Sequence, residues 1–217
     1  MDTLKSSILK STLGLSIFAV LTTGVIATTQ IVTKERIDEA VRKAQTKALL
    51  EIVPATIFNN DLLSDVVILP QPNELHLEEG ATANLAREDG RVTAIILPAI
   101  AMNGYSGPIS IISAVDIHGS LLGVRVIEHK ETPGLGDKAE ARKSDWIQGF
   151  NGKSLSTPAN DRWKVKKDGG EFDQMTGATI TPRAIVGAVK DTLVYFKNHK
   201  AALSGSSTNP HGSTPNG

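Results

Sequence analysis

The chain has 217 residues with 23 basic and 23 acidic side chains, so its formal net charge at neutral pH is zero. Balanced charge and few aromatic residues argue against nucleic acid as a partner, because phosphate binding needs a basic excess. The chain has no cysteine, which excludes disulfides, cysteine-ligated zinc, iron–sulfur clusters and c-type haem attachment within it. If the protein handles electrons, their carrier is something other than a cysteine-held metal.

An uncharged segment of 23 residues, 11–33, lies near the N-terminus. As a helix it can cross a hydrocarbon core of about 30 Å. Basic residues flank both of its ends, so the positive-inside rule orients it only weakly. A cleaved signal peptide is the alternative, with residues 25–27 as the small-residue cleavage site. We expect an uncleaved membrane anchor over residues 1–33, because the uncharged run continues past that site.

The region after the anchor predicts one domain over residues 34–203. An amphipathic pattern indicates a helix from Lys34 to about Val53, which Pro54 ends. Segments rich in Val and Ile then indicate strands: residues 65–69, 91–97, 109–115 and 121–128. The sequence Asp116-Ile117-His118-Gly119 between the last two is typical of a hairpin turn. These features predict an α+β fold, a mostly antiparallel sheet with packed helices behind a single transmembrane helix.

Three later segments complete this picture. Residues 139–150 predict a short helix. The basic run 162–167 is either a solvated face or a source of cations, Lys164 or Lys166, that neutralise a phosphate. Residues 204–217 are mostly Ser, Gly, Asn, Pro and Thr and cannot bury apolar surface. We therefore expect a disordered tail.

The segment with the clearest chemical pattern is Asp-Gln-Met-Thr-Gly-Ala-Thr-Ile-Thr-Pro, residues 173–182. Thr181 is a suitable N-cap and Pro182 suits a first helical position. Apolar residues at helical spacing predict a helix from about Pro182 to about Asn198. The hydroxyls before it lie at the positive end of a helix dipole, where a phosphate is stabilised. An N-capped helix without a ligand is the alternative interpretation.

The pattern Asp-x-x-Thr-Gly-Ala-Thr resembles the flavinylation motif of the FMN-binding domain family, whose final threonine carries FMN through a phosphoester bond. The resemblance implies that Thr179 is the attachment residue. It places Asp173, Thr176, Gly177 and Ala178 in the cofactor-binding motif. It also implies a flavin transferase that uses FAD and a divalent metal during maturation, and that transferase could recognise Asp173.

A second motif, Glu-Thr-Pro-Gly-Leu-Gly, begins at Glu131 directly after a predicted strand. It resembles the second hallmark of the same family, which forms part of the wall around the flavin. The resemblance implies that Glu131, Thr132, Gly134, Leu135 and Gly136 are cofactor neighbours. Glycines there let the backbone approach a flat ring closely.

Two alternatives remain open in these loops. A turn with capping polar residues explains the segment around Glu131, and a metal site of His129, Glu131 and Asp137 is a weaker interpretation because no further histidine lies at useful spacing. We predict no metal ligand set. In the turn of residues 103–108, Tyr105 is either a packed aromatic residue or a ligand contact.

Taken together, the anchor and the motifs resemble the G-subunit family of the Rnf (Rsx) ion-translocating electron transport complexes, over about residues 1–200. The related C subunit of the sodium-pumping NADH:quinone reductase is the alternative. The resemblance implies a single-pass protein of the cell inner membrane, with a cytoplasmic N-terminus and a periplasmic domain. Its partners would be the other subunits of the complex and the flavin transferase.

The resemblance further implies an electron carrier, with covalent FMN and no independent catalytic centre of its own. Two other classes of function stay open. One is an anchored flavin-binding or sensor module that does not relay electrons, and the other is a structural subunit without a cofactor.

Overall fold

The computed structural model describes residues 2–205. It describes only the backbone of residues 2–11, 31, 35–42, 44 and 45. The chain divides into two compact units, Met1–Gln45 and Thr46–Gly217. The first unit consists of most of helix α1, Asp2–Ile52. Within this helix, the segment Thr12–Lys34 has the length and apolar composition of a membrane-spanning helix, and none of it is buried.

The apolar segment of α1 carries several threonines whose hydroxyls find partners inside the helix. The Thr28 hydroxyl donates to the Gly24 carbonyl at 2.8 Å, and the Thr29 hydroxyl donates to the Val25 carbonyl at 2.8 Å. The Thr33 hydroxyl donates to the Thr29 carbonyl at 2.7 Å. Because these hydroxyls bond one turn back, they leave few polar atoms to desolvate in a bilayer.

The second unit is built on a five-stranded antiparallel sheet whose strands follow chain order. The strands are β1 Val66–Ile68, β2 Thr82–Glu88, β3 Arg91–Ala101, β4 Ile109–Asp116 and β5 Leu121–Glu128. This confirms the predicted α+β class and the four predicted strands. The hairpin turn between β4 and β5 is also confirmed, since Gly119 has φ +92° and the Asp116 carboxylate accepts from the backbone N–H of His118 at 2.8 Å.

Strand β2 was not predicted, because alanine, asparagine and charged residues have low strand propensity. It nevertheless pairs with both β1 and β3. Its inward positions Ala83 and Leu85 are fully buried. The available signal was the Asp89-Gly90 turn before β3, where both residues have positive φ.

Both faces of the sheet are covered. Helix α2, Ile180–Gly205, packs on one face and buries the larger core. The C-terminal turn of α1 covers the other face, where Leu49 and Ile52 are buried. A Cβ at Gly123 would lie 2.9 Å from the Ile52 Cβ, so this glycine lets α1 approach β5 closely. Helix α1 ends at Ile52, just before Pro54, as predicted.

The predicted short helix over residues 139–150 is wrong. That region forms two separate 3₁₀ turns, Gly136–Ala139 and Asp145–Phe150. Phe150 is buried there in an aromatic cluster, with ring centroids 4.7 Å from Phe172 and 6.4 Å from Trp163. Packing of these rings fixes the segment and overrides its helical pattern.

Shorter elements and the chain end complete the description. The remaining 3₁₀ turns are Ala55–Ile57, Pro72–Leu75, Asn160–Arg162 and Lys166–Asp168. Helix α2 begins two residues before the predicted start and ends at Gly205, beyond the predicted Asn198. The predicted tail therefore begins inside α2, and its residues 206–217 lie outside the described part of the chain.

Candidate functional site

A pocket of about 330 Å³ lies where the loop after β5 meets the N-terminus of α2. We call it the threonine pocket, and its lining comprises Tyr105, Glu131, Thr132, Leu135, Gly136, Gly177, Ala178, Thr179, Ile180 and Thr181. Its volume is at the lower end of the range for small-molecule sites, roughly 300–1,000 Å³. The pocket unites the two sequence motifs, which come from distant parts of the chain.

Most of the predicted cofactor-binding residues line this pocket, and three do not. The lining includes the predicted residues Glu131, Thr132, Leu135, Gly136, Gly177, Ala178 and Thr179. Thr176 is exposed outside the lining, and Gly134 forms a turn with φ +78°. The Asp173 side chain is 69% exposed and pairs with the Lys166 ammonium at 2.5 Å. Its backbone carbonyl accepts a hydrogen bond from Trp146 Nε1 at 2.7 Å, so Asp173 fixes the loop at the surface.

The Glu131 carboxylate joins the segments that form the pocket. Its side chain is buried, with the residue 5% exposed. Its Oε1 accepts from the backbone N–H of Ser106 at 2.8 Å, and its Oε2 accepts from the Thr181 hydroxyl. The Glu131 N–H donates to Nδ1 of His129 at 3.0 Å. Both carboxylate oxygens are therefore engaged by the protein, as a buried charge requires.

The predicted N-cap role of Thr181 is wrong. Helix α2 begins at Ile180, so Thr181 is its second residue and Pro182 its third. The Thr181 hydroxyl donates to Glu131 and does not accept from a backbone N–H. The buried carboxylate is the stronger partner, because hydrogen bonds to charged groups exceed neutral ones in strength. Pro182 still lies in the first turn, where a missing N–H leaves no bond unmade.

Two glycines allow the motifs to pack together. A Cβ at Gly136 would lie 2.7 Å from Glu131 Oε2 and 2.8 Å from the Thr181 Oγ1. Gly177 has φ +81°, and a Cβ there would lie 2.7 Å from Cδ2 of Leu135. A side chain at Gly136 would push apart the bonded Glu131 and Thr181, so close packing requires this glycine. At Gly177 the positive φ is what favours glycine, because the Leu135 side chain can move aside.

The three threonines of the flavinylation-like motif differ in their access to the threonine pocket. Thr176 is exposed but lies outside the lining. Thr181 is fully buried and bonded to Glu131. Thr179 is half-buried, lines the pocket and directly precedes the first residue of α2. Of these three, only Thr179 is both partly exposed and part of the pocket lining, and it lies at a helix N-terminus, where an anion is stabilised.

The basic run 162–167 does not reach the threonine pocket. Trp163 and Val165 are buried, while Lys164 and Lys166 are exposed and absent from the lining. Lys166 is engaged by Asp173. This arrangement favours the interpretation as a solvated face. On α2, the Arg183 guanidinium binds both carboxylate oxygens of Asp168, at 2.6 and 2.8 Å, and it lowers the pKa of Asp168.

A polar network lies beside the motif at Glu131. His129 Nε2 is 3.1 Å from Glu140 Oε1, and the Lys143 ammonium is 2.5 Å from Asp137. The hydrogen bond from Arg142, followed by those from His129 and Lys143, lowers the pKa of Glu140 to about 2. Asp137 is thus held by a lysine. In the described part of the chain, no group of three or more His, Asp or Glu side chains is arranged to hold a metal ion.

Some lining residues were not assigned from the sequence. Ile180 and Thr181 were interpreted as parts of a helix start, and Tyr105 was left between packing and ligand contact. The proximity of Tyr105 to the motifs depends on the contact of the 103–108 turn with Glu131, which no local pattern reveals. The available signal was the pair of glycines in that turn, Gly104 and Gly107.

Comparison with known proteins identifies both regions of the chain. The model of the FMN-binding domain matches residues 104–194, and the model of the RnfG N-terminal region matches residues 1–52. The first match contains both pocket motifs. The second covers the helix with the apolar segment.

Relatives named as the G subunit of an ion-translocating oxidoreductase complex resemble this chain over most of its length. The protein from Pseudomonas aeruginosa is 47% identical over 92% of this chain and 93% of its own length. Those from Shewanella amazonensis and Vibrio atlanticus are 46% and 43% identical, each over 91% of this chain and 92% and 94% of their own. The chain therefore belongs to the G-subunit family of the ion-translocating oxidoreductase complexes.

Proposed function

We propose that this membrane-anchored protein carries FMN covalently, through the FMN phosphate on Thr179, and relays electrons within an ion-translocating oxidoreductase complex. The observation that carries the proposal is the position of Thr179. Among the threonines of its motif, it alone combines partial exposure, a place in the threonine pocket and a place at the start of α2. FMN supplies the ability to pass electrons, and the chain supplies its binding and orientation.

The residues of the pocket fit a phosphate-linked flavin. A phosphodiester on Thr179 would keep one negative charge next to the first N–H groups of α2, an arrangement worth about 0.3–1 kcal/mol. Gly136 and Gly177 both belong to the pocket lining and contribute no side chain to it. Leu135 and Ile180 offer exposed apolar surface to a ring system. Thr179 is an attachment residue in this proposal, and no catalytic residue of the chain is required.

Flavin fluorescence in a denaturing gel tests the attachment. The full chain is produced in a host that contains the flavin transferase, beside Thr179→Ala and Thr176→Ala variants. We expect a fluorescent band for the wild type and for Thr176→Ala, and none for Thr179→Ala. Thr176 is the matched control because it belongs to the same motif but lies outside the pocket lining. A wild-type band without fluorescence, beside a labelled control substrate, would reject the covalent link.

The relay and the sensor hypotheses differ in membranes that contain the whole complex. If the protein relays electrons, Thr179→Ala abolishes ion-coupled electron flow while the complex still assembles. If the flavin serves only binding or sensing, the flow persists in that variant. We favour the relay because the relatives are named as subunits of an oxidoreductase complex that translocates ions.

We further propose that the protein is single-pass in the cell inner membrane, with a cytoplasmic N-terminus and residues 34–203 in the periplasm. The absence of native cysteine makes a direct test possible. A cysteine introduced at the exposed Glu79 should react with a membrane-impermeant maleimide in cells whose outer membrane has been permeabilised. Reaction only after the inner membrane is opened would contradict this orientation.

A further inference from the structure

Tyr105 places an aromatic ring at the threonine pocket. Its side chain is 68% exposed although it belongs to the pocket lining. Of the residues that line the pocket, it alone carries an aromatic ring. An exposed ring beside a cavity is a surface that a planar ligand can cover, and such contacts combine apolar burial with the preferred offset geometry of aromatic pairs.

The turn that carries Tyr105 is fixed by contacts within the turn and by a hydrogen bond to Glu131. A Cβ at Gly104 would lie 2.2 Å from the carbonyl oxygen of Gly107, so the turn closes tightly on itself. The backbone N–H of Ser106 donates to the buried Glu131 at 2.8 Å. Because Glu131 also binds Thr181 of α2, the turn is tied to the same junction that positions Thr179.

We propose that Tyr105 is a flavin-contact residue, whose phenol ring packs against the isoalloxazine ring of the FMN carried by Thr179 and limits solvent access to it. This inference rests on the proposed function. Leu135, which is 39% exposed in the same lining, offers a second apolar contact, but it cannot donate an electron to an excited flavin. Contact between the Tyr105 ring and the flavin should therefore produce a spectroscopic signature, which contact with an apolar residue would not produce.

The signature is quenching of flavin fluorescence. When the rings are in contact, the phenol passes an electron to the photoexcited isoalloxazine and takes it back, so both groups return to their starting states. The test uses the full chain loaded with FMN, as wild type and as Tyr105→Phe and Tyr105→Leu variants. Ile68→Ala serves as the control, because Ile68 is 67% exposed but lies on β1 away from the pocket lining.

The flavin fluorescence lifetime and its quenching by iodide are measured for each loaded protein. Both substitutions should lengthen the lifetime, because neither phenylalanine nor leucine donates an electron readily. Iodide quenching should rise for Tyr105→Leu and stay at the wild-type value for Tyr105→Phe, which keeps the ring. The Ile68→Ala control should match the wild type in both quantities.

The outcomes separate this inference from the proposal on which it rests. A loaded wild type whose lifetime and iodide quenching are unchanged in Tyr105→Leu would overturn the assignment of Tyr105 and leave the attachment to Thr179 intact. A wild-type chain without flavin would contradict both the attachment of FMN to Thr179 and the assignment of Tyr105. Because the ring is mostly exposed, the thermal unfolding midpoint of Tyr105→Leu should equal that of the wild type.

Discussion

Replacing Gly136 with alanine should destabilise the domain strongly, although the substitution adds only one methyl group. The new Cβ would lie within 3.0 Å of three atoms: Oε2 of Glu131 at 2.7 Å, Oγ1 of Thr181 at 2.8 Å and Cβ of Glu131 at 2.9 Å. Overpacking costs about 1–3 kcal/mol, and loss of a buried hydrogen bond costs about 1–3 kcal/mol, so we expect about 2–6 kcal/mol in total.

The unfolding of the domain can be followed in the full chain in detergent through the fluorescence of Trp146 and Trp163. Gly187→Ala is the matched control, because a Cβ at this position in α2 meets nothing within 4 Å. It should stabilise the domain by about 0.5–1 kcal/mol, since alanine is favoured over glycine inside a helix. An unfolding free energy of Gly136→Ala equal to the wild-type value would refute the packing of the two motifs around Glu131.

Two further predictions concern the same region. Thr181→Val removes the hydroxyl that donates to buried Glu131 and should lower the unfolding free energy by about 1–3 kcal/mol. Thr192→Val is the control and should cost less, because it loses only a bond to the Ala188 carbonyl of its own helix. Equal costs for the two variants would contradict the role of the Thr181 bond. Because the folded pKa of Glu140 is lowered to about 2 from 4.5, its stabilising contribution is present above pH 4.5 and is lost as the pH falls towards 2. In Glu140→Gln the thermal unfolding midpoint should therefore fall less steeply between pH 4.5 and pH 2 than in the wild type. An equally steep fall in the variant would show that Glu140 does not cause this pH dependence.

The sequence predicted the fold where a local pattern coincided with burial. The four strands rich in Val and Ile, the Gly119 turn and the end of α1 before Pro54 are all confirmed. Strand β2 was missed because its alanine and asparagine residues form a strand only through pairing on both sides. The helix predicted over 139–150 was wrong because tertiary aromatic packing decides the conformation of that segment.

The site was predictable in its motifs but not in the contacts that connect them. Thr179 and Glu131 were identified through family resemblance, and the pocket brings both into one lining. The bond between Glu131 and Thr181 spans 50 residues and has no local signature. A helix-start pattern alone favoured Thr181 as an N-cap, because sequence cannot show that a buried carboxylate competes for its hydroxyl.

Fragmentation mass spectrometry of the loaded protein tests the attachment of FMN to Thr179 most directly, because it locates the adduct among the threonines of the motif. We expect the peptide containing residues 173–182 to gain the mass of FMN less one water, with fragment ions that place this mass on Thr179. An adduct on Thr176 or Thr181, or an unmodified peptide from a host with active flavin transferase, would contradict attachment at Thr179.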